Sequence, residues 1–388
     1  MPAGHDSGRM WPRVRMRADV AGLGVSANGT GGKARLSATP GGTGAGQDGG
    51  FMTGTDEGIK HLLAADIGGT NSRFGHFLSH PDGRLEQVHN LWLSTREAVC
   101  FADLLAALGG SDFPLRPGDA DAAVFAVPGP MSGPVGVMGT ASARTCTFAN
   151  IAWDMDLDRD APRFGLRRAA LVNDFAAQAQ GFRTPLAKDS LPIVPGYFNP
   201  GKVRGVMGAG TGLGMAALAP LAGGGHQVLS SEGGHAARFF RRDEQDYLRL
   251  VSEVTGEPYP RGDVVLSGLG LSLVHRYLTG RDLPAAEVAA EITPDSETTA
   301  WFASFYGRAA RDYALTVLAG GGMYLSGGVA AKNPMLVTHP HFAREFVDSP
   351  TMTGFLSAIP VSLARRQDMG LFGAALCAHL LLGRKPPS

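Results

Sequence analysis

The chain has 388 residues, 44% hydrophobic and 18% charged, with 35 basic side chains against 35 acidic ones. That length can bury a large core in two or three domains, and zero formal net charge gives no electrostatic footprint for nucleic acid or an anionic membrane surface. Cys100, Cys146 and Cys377 are far apart and form no Cys-x-x-Cys pair, which argues against a thiolate zinc site or a disulfide framework and fits a reducing cytoplasm.

Residues 1–57 read as a disordered leader. The first fifty hold 13 glycines and few large apolar residues, too little to offset the entropy of ordering. Six basic residues (Arg9, Arg13, Arg15, Arg17, Lys33, Arg35) face three acidic ones, and no apolar core of a secretory signal is present. Met52 stands just before the patterned sequence and is a candidate start site. No apolar run in the chain has the length of a membrane-spanning helix.

From Lys60 the pattern changes. HLLAADIGGTNSRFGHF predicts a strand, a tight glycine turn and a second strand, whereas a Walker loop or dinucleotide fingerprint would run on into a helix. Thr95–Leu108 has helical spacing, with Leu104, Leu105 and Leu108 on one face. DAAVFAVPGP reads as a short buried strand ended by Pro128-Gly129-Pro130. RRAALVNDFAAQAQGF reads as a strand entering a helix, with Asn173-Asp174 at the junction and Asp174 as the helix cap. VRGVMGAGTGLGMAAL repeats the strand–glycine turn–strand pattern, so Ala64–Phe77 and Val206–Leu218 form a weak internal duplication. HQVLSSEGGHAARF gives a strand and a polar turn. Asp243–Val254, Leu271–Leu278 and Thr298–Leu318 read as helices. GGGMYLSGGVAAKNP gives strand, turn and helix start, IPVSLAR a last strand, and Met369–Leu382 a closing helix. Two similar α/β lobes with a ligand cleft between them follow from this order.

Each glycine turn suits a phosphate chain, because glycines let the backbone approach closely and turn its N–H groups outward. In the first, Gly68-Gly69-Thr70-Asn71, Thr70 can donate to a phosphate oxygen, and Asp66 can hold Mg²⁺ through water. Read alone, this is more often an ordinary hairpin turn. In the second, Gly208, Gly210, Thr211 and Gly212 can cradle phosphates; its spacing mimics a dinucleotide motif, but the following MAALAPL is short and strand-like, so no acidic residue stands about 20 positions on in a βαβ context. Asp174 can accept the proton of an attacking hydroxyl, and Asn173 can orient a neighbouring one. Glu232 and His235, separated by two glycines, offer an acceptor and a donor to vicinal hydroxyls; the plainer reading of His235 alone is a core or surface histidine.

LLAADIGGTNSRFG, ALVNDF, GAGTGLG, SSEGGH, VVLSG and YLSGGVAAKNP together resemble the motif series of bacterial ATP-dependent glucokinases of the hexokinase superfamily, in order from about Leu62 to the closing helix. The resemblance implies an α/β, two-lobed actin-like or ribonuclease-H-type fold with an inter-lobe cleft. It implies a small lobe over 59–184 closed by a C-terminal helix over 369–383, and a large lobe over 185–368. It also implies a cytoplasmic homodimer that uses ATP and Mg²⁺ to phosphorylate glucose at the 6-hydroxyl. Asn150, in FANIAW, and Asp263, in RGDVVLSG, fall at sugar-pocket positions, and Gly327-Gly328 at the adenosine motif. The chain departs from the family pattern at Asp263, where Glu is usual, at Ala149 in place of Thr, at Ser231 in place of Gly, and over HAARFFRRD. A kinase for another hexose is an alternative. A sugar-sensing repressor on this fold would carry an N-terminal helix-turn-helix, for which residues 1–51 lack the amphipathic pattern. Zinc at His235, as in such relatives, would need a cysteine cluster that does not follow here. A protein-directed, chaperone-like ATPase would not need the hydroxyl-reading pair in SEGGH.

Overall fold

The computed structural model describes residues 58–129, 131–132, 143–148, 151–222 and 224–385. The leader, Met52 and Asn150 lie outside them.

In chain order the strands are β1 (Lys60–Ile67), β2 (Asn71–Ser79), β3 (Leu85–Ser94), β4 (Ala122–Val127), β5 (Met131–Ser132), β6 (Thr145–Cys146), β7 (Met155–Asp156), β8 (Ala169–Asn173), β9 (Leu191–Val194), β10 (Arg204–Ala209), β11 (Leu213–Pro220), β12 (His226–Ser231), β13 (Met323–Ser326) and β14 (Val361–Leu363). The helices are α1 (Phe101–Gly109), α2 (Leu157–Asp160), α3 (Asp174–Gly181), α4 (Gln245–Thr255), α5 (Gly262–Val265), α6 (Gly268–Thr279), α7 (Ala285–Glu291), α8 (Glu297–Val317), α9 (Gly328–Lys332), α10 (Met335–Thr338), α11 (Pro340–Val347), α12 (Thr353–Ser357) and α13 (Met369–Leu381).

The five-stranded sheet runs β3-β2-β1-β4-β8, and the six-stranded sheet runs β12-β11-β10-β13-β14-β9. Both begin with an antiparallel meander around a glycine hairpin and continue with two parallel strands. The weak repeat in the sequence is therefore a repeat of topology. β4 is buried on both faces, as its unbroken apolar run requires. α13 is buried almost throughout and packs on α3 and β1. One apolar cluster, including Leu62, Val172, Leu218, Val228 and Leu371, draws on both sheets and on α13.

The predicted elements recur with small shifts, and two need correction. The helix expected over Thr95–Leu108 begins only at Phe101. Thr95 extends the hairpin region instead: its N–H donates to the Thr70 carbonyl at 2.9 Å, and its hydroxyl bonds Ser72 at 2.7 Å. The cap of α3 is Asn173, not Asp174. Asn173 is still paired in β8 opposite Val127, and its Oδ1 accepts from the N–H groups of Phe175 and Ala176 at 3.0 and 3.1 Å.

Candidate active site

The first glycine turn closes β1 onto β2. The Gly68 N–H donates to the Asn71 carbonyl at 3.1 Å, and a Cβ on Gly68 would lie 2.8 Å from that oxygen. Gly69, Thr70 and Asn71 are exposed at its tip. Asp66, the penultimate residue of β1, sits across the hairpin from Arg73. Burial pushes its carboxyl up to about 6, against the pull of Arg73.

The second turn closes β10 onto β11, with the Gly210 N–H donating to the Gly212 carbonyl at 2.8 Å. Thr211 is exposed, and the Cα of Gly210 faces open space. Gly208 serves a different need: a Cβ there would lie 2.6 Å from the Ser326 carbonyl, so glycine lets β10 approach β13. Gly327 has φ +86° and its Cα abuts the Ala209 backbone, while Gly328 opens onto free space.

Asp174 heads α3. Burial first, then the charges of Asp66 and Glu232, push its carboxyl up to about 7, although the Phe175 N–H donates to it at 2.8 Å. The fold has thus brought Asp66, Asp174 and Glu232 within electrostatic reach of one another. Cys146 joins this group: burial, then the Asp174 charge, raise its thiol to about 11.

Glu232, His235 and Asp263 form a second run of contacts. His235 Nε2 lies 3.5 Å from the Glu232 carboxylate, and its Nδ1 lies 3.0 Å from Asp263 Oδ2. Arg261 Nη1 stands 2.9 Å from the same Nδ1, so that atom either accepts from Arg261 or donates to Asp263. Arg261 also holds Glu257 through two bonds, at 2.8 and 2.5 Å. Asp263 Oδ1 accepts from the Leu213 N–H at 2.7 Å. Gly234 fits beneath: a Cβ would collide with the Leu213 carbonyl and lie 2.6 Å from Asp263. The SEGGH turn and the second glycine turn are therefore locked together through Asp263.

The sequence reading did not single out Arg261 or Gln178. Arg261 had a faint signal, a guanidinium two residues before a candidate sugar carboxylate. Gln178 had none; its Oε1 accepts from the Ser326 hydroxyl at 2.6 Å, joining α3 to β13 across 148 positions.

Among the described residues no helix is long and apolar enough to cross a membrane. The glucokinase family model matches residues 63–381. A glucokinase of Nostoc sp. (strain PCC 7120) is 30% identical over 359 residues, covering 82% of this chain and 99% of the relative. A glucokinase of Chromobacterium violaceum is 30% identical over 343 residues, covering 85% and 92%. The crystal structure of a glucokinase from an Antarctic psychrotroph superposes with a TM-score of 0.68 at 25% identity, over 83% of this chain and 99% of that one. The structure of Balamuthia mandrillaris glucokinase in complex with glucose shares the fold, with a TM-score of 0.67 at 22% identity over 84% and 95%. The repeated sheets are thus the two halves of an actin-like, two-lobed α/β fold, and the chain belongs to the glucokinase family.

Proposed function

We propose that the chain transfers the terminal phosphoryl group of ATP to the 6-hydroxyl of glucose, with Asp174 as general base. One observation carries this reading: Asp174 heads α3 within electrostatic reach of Asp66, which closes the first glycine hairpin, and of Glu232, which opens the SEGGH turn. A hydroxyl needs a proton acceptor as its oxygen bonds to phosphorus, and a base near neutrality accepts efficiently at physiological pH.

Asn173 supports the assignment by what it leaves free. Its Oδ1 is committed to the helix cap, so its Nδ2 is the atom that can donate to a sugar oxygen. Glu232, His235 and Asp263 would read the remaining hydroxyls, with Asn150 a further candidate. Gly68, Gly69, Thr70 and Asn71 on one side, and Gly210, Thr211 and Gly212 on the other, would present N–H and hydroxyl donors to the phosphates. Gly208 and Gly327 would act by letting their strands approach, and Gly328 would leave room for the adenosine.

Asp66 and Asp174, two neighbouring carboxyls both held above their ordinary range, fit a nearby divalent cation. Mg²⁺ held by Asp66 through water would neutralise phosphate charge. We read 59–184 with 369–383 as the small lobe and 185–368 as the large one, and expect a cytoplasmic homodimer; sedimentation of the purified protein tests the assembly. A coupled assay with ATP and glucose, mannose, fructose or N-acetylglucosamine tests the activity. Phosphorylation of glucose that is lost in Asp174→Ala supports the reading, and no turnover of any hexose overturns it.

A further inference from the structure

We propose that the C-terminal end of α3 and the adjoining face of the six-stranded sheet bind a small, doubly charged oxyanion of phosphate type, held by Arg183, Arg204 and His226.

Strand register brings Arg204 and His226 together, and the packing of α3 on β10, β11 and β12 brings Arg183 within electrostatic reach of both. Arg204 pairs with Leu218, and Leu218 pairs with Val228, so these share one face of the sheet. His226 lies two residues before Val228 and points to that same face. The end of α3 covers it: Phe182 packs in one cluster with Leu218 and Val228, its ring 4.5 Å from that of Tyr324. Arg183 is the next residue.

The charges of the two arginines are not matched by acids, and His226 is a neutral imidazole beside them. Burial first, then the Arg204 and Arg183 guanidiniums, hold His226 down at about 4. Burial and Arg204 likewise lower Arg183. The acidic group acting on Arg183 is the Cys377 thiol, which burial pushes up to about 12 and so keeps neutral. Among the described residues neither Arg183 nor Arg204 takes part in an ion pair, whereas Arg241 and Arg308 rest on Glu345 and Glu244. Arg183 donates to Gln180 Oε1 at 2.6 Å, and Arg204 stacks on Phe198 at 4.9 Å. Arg204 Nε and both ring nitrogens of His226 are buried with no partner.

Clustered cations cost free energy unless an anion compensates them. Water would satisfy the N–H groups but not the charge. Two guanidinium forks and an imidazole suit a tetrahedral oxyanion, which accepts several charge-assisted bonds at once. Arg204 begins β10 and His226 begins β12, whereas the second glycine turn and Glu232 follow the other ends of these strands, so the site lies a strand length away from the proposed cleft. A bound anion would tie α3 to β10 and β12.

The test is calorimetric titration of inorganic phosphate into the full chain at constant ionic strength, comparing wild type with Arg204→Gln and His226→Gln. The readout is binding, so it stands whether or not the kinase reading does; phosphate held at the glycine turns is common to all three proteins and cancels in the comparison. Saturable binding in wild type that weakens at least tenfold in both variants is expected. Arg204→Lys, which keeps the charge but loses the planar fork, should bind more weakly than wild type and more tightly than Arg204→Gln. Glucose 6-phosphate in a second series separates free phosphate from a phosphate ester. Equal binding in wild type and variants overturns the proposal, as does no saturation up to roughly 30 mM, far above the millimolar range of a weak small-ligand site. Should Arg204→Gln not fold, the phosphate-dependent rise in melting temperature of wild type against His226→Gln decides in the same way.

Discussion

Asp263 Oδ1 accepts a 2.7 Å hydrogen bond from the N–H of Leu213, fifty positions earlier, while its Oδ2 lies 3.0 Å from His235. One carboxylate thus fixes the second glycine turn and a proposed sugar-reading histidine together. The two oxygens can be separated by mutation. Asp263→Asn keeps an acceptor for Leu213 but loses the charge beside Arg261 and His235. Asp263→Ala loses both and should cost about 1–2 kcal/mol more stability. Both variants should raise the KM for glucose. Equal melting temperatures for the two would show that the Leu213 bond contributes nothing.

Asp174→Ala should lower kcat by about 10²–10⁴-fold, the range of a positioned general base, with glucose still binding. Calorimetry of glucose binding separates this from a folding defect. Near-full turnover would remove Asp174 from the role.

Because the Asp174 carboxyl stands at about 7, kcat/KM should climb as pH rises through that value and level off above it. The stability effect has the opposite sense. A carboxyl whose folded pKa exceeds its unfolded one favours folding when protonated, and that contribution is lost as pH rises through the folded value. Asp174→Asn should therefore be more stable than wild type at pH 8, by about 1–2 kcal/mol in chemical denaturation, and the gain should shrink towards pH 4. A gain that grows on acidification would contradict the burial of this carboxyl.

The Phe175 ring lies directly against Gly214, where any Cβ would collide with it. Gly214→Ala should destabilise by about 1–3 kcal/mol through overpacking and displace Phe175, and with it Asp174. Chemical denaturation and turnover should both register the change. Gly210→Ala, which faces open space, is the control and should leave stability nearly unchanged.

Ser326→Ala breaks the hydrogen bond to Gln178 that joins α3 to β13. A loss of about 1 kcal/mol is expected, and Gln178→Ala combined with it should add little more, because the pair acts as a unit. Fully additive losses would show the two side chains to be independent.

Elements carried by local rules were legible in the chain. Glycine-rich turns after apolar runs marked both hairpins, and the all-apolar run of β4 marked a buried strand. The capping assignment failed because Asn and Asp side by side are both good caps. The choice fell to Asn173 where pairing of β8 with β4 ended, a matter of strand register. The start of α1 failed for a similar reason: Thr95 is held by Thr70 and Ser72, which helical spacing does not report.

What the sequence determined by itself is the ordered set of turns and strands, because glycine, proline and apolar periodicity act on the nearest few residues. What only the tertiary structure decided is which charges share a site. The shifts at Asp66 and Asp174, the tie from Asp263 to Leu213, and the gathering of Arg183, Arg204 and His226 each depend on residues from different strands and helices. Burial and Coulomb energy depend on distance in space, and the chain order does not encode that distance until the two sheets have packed.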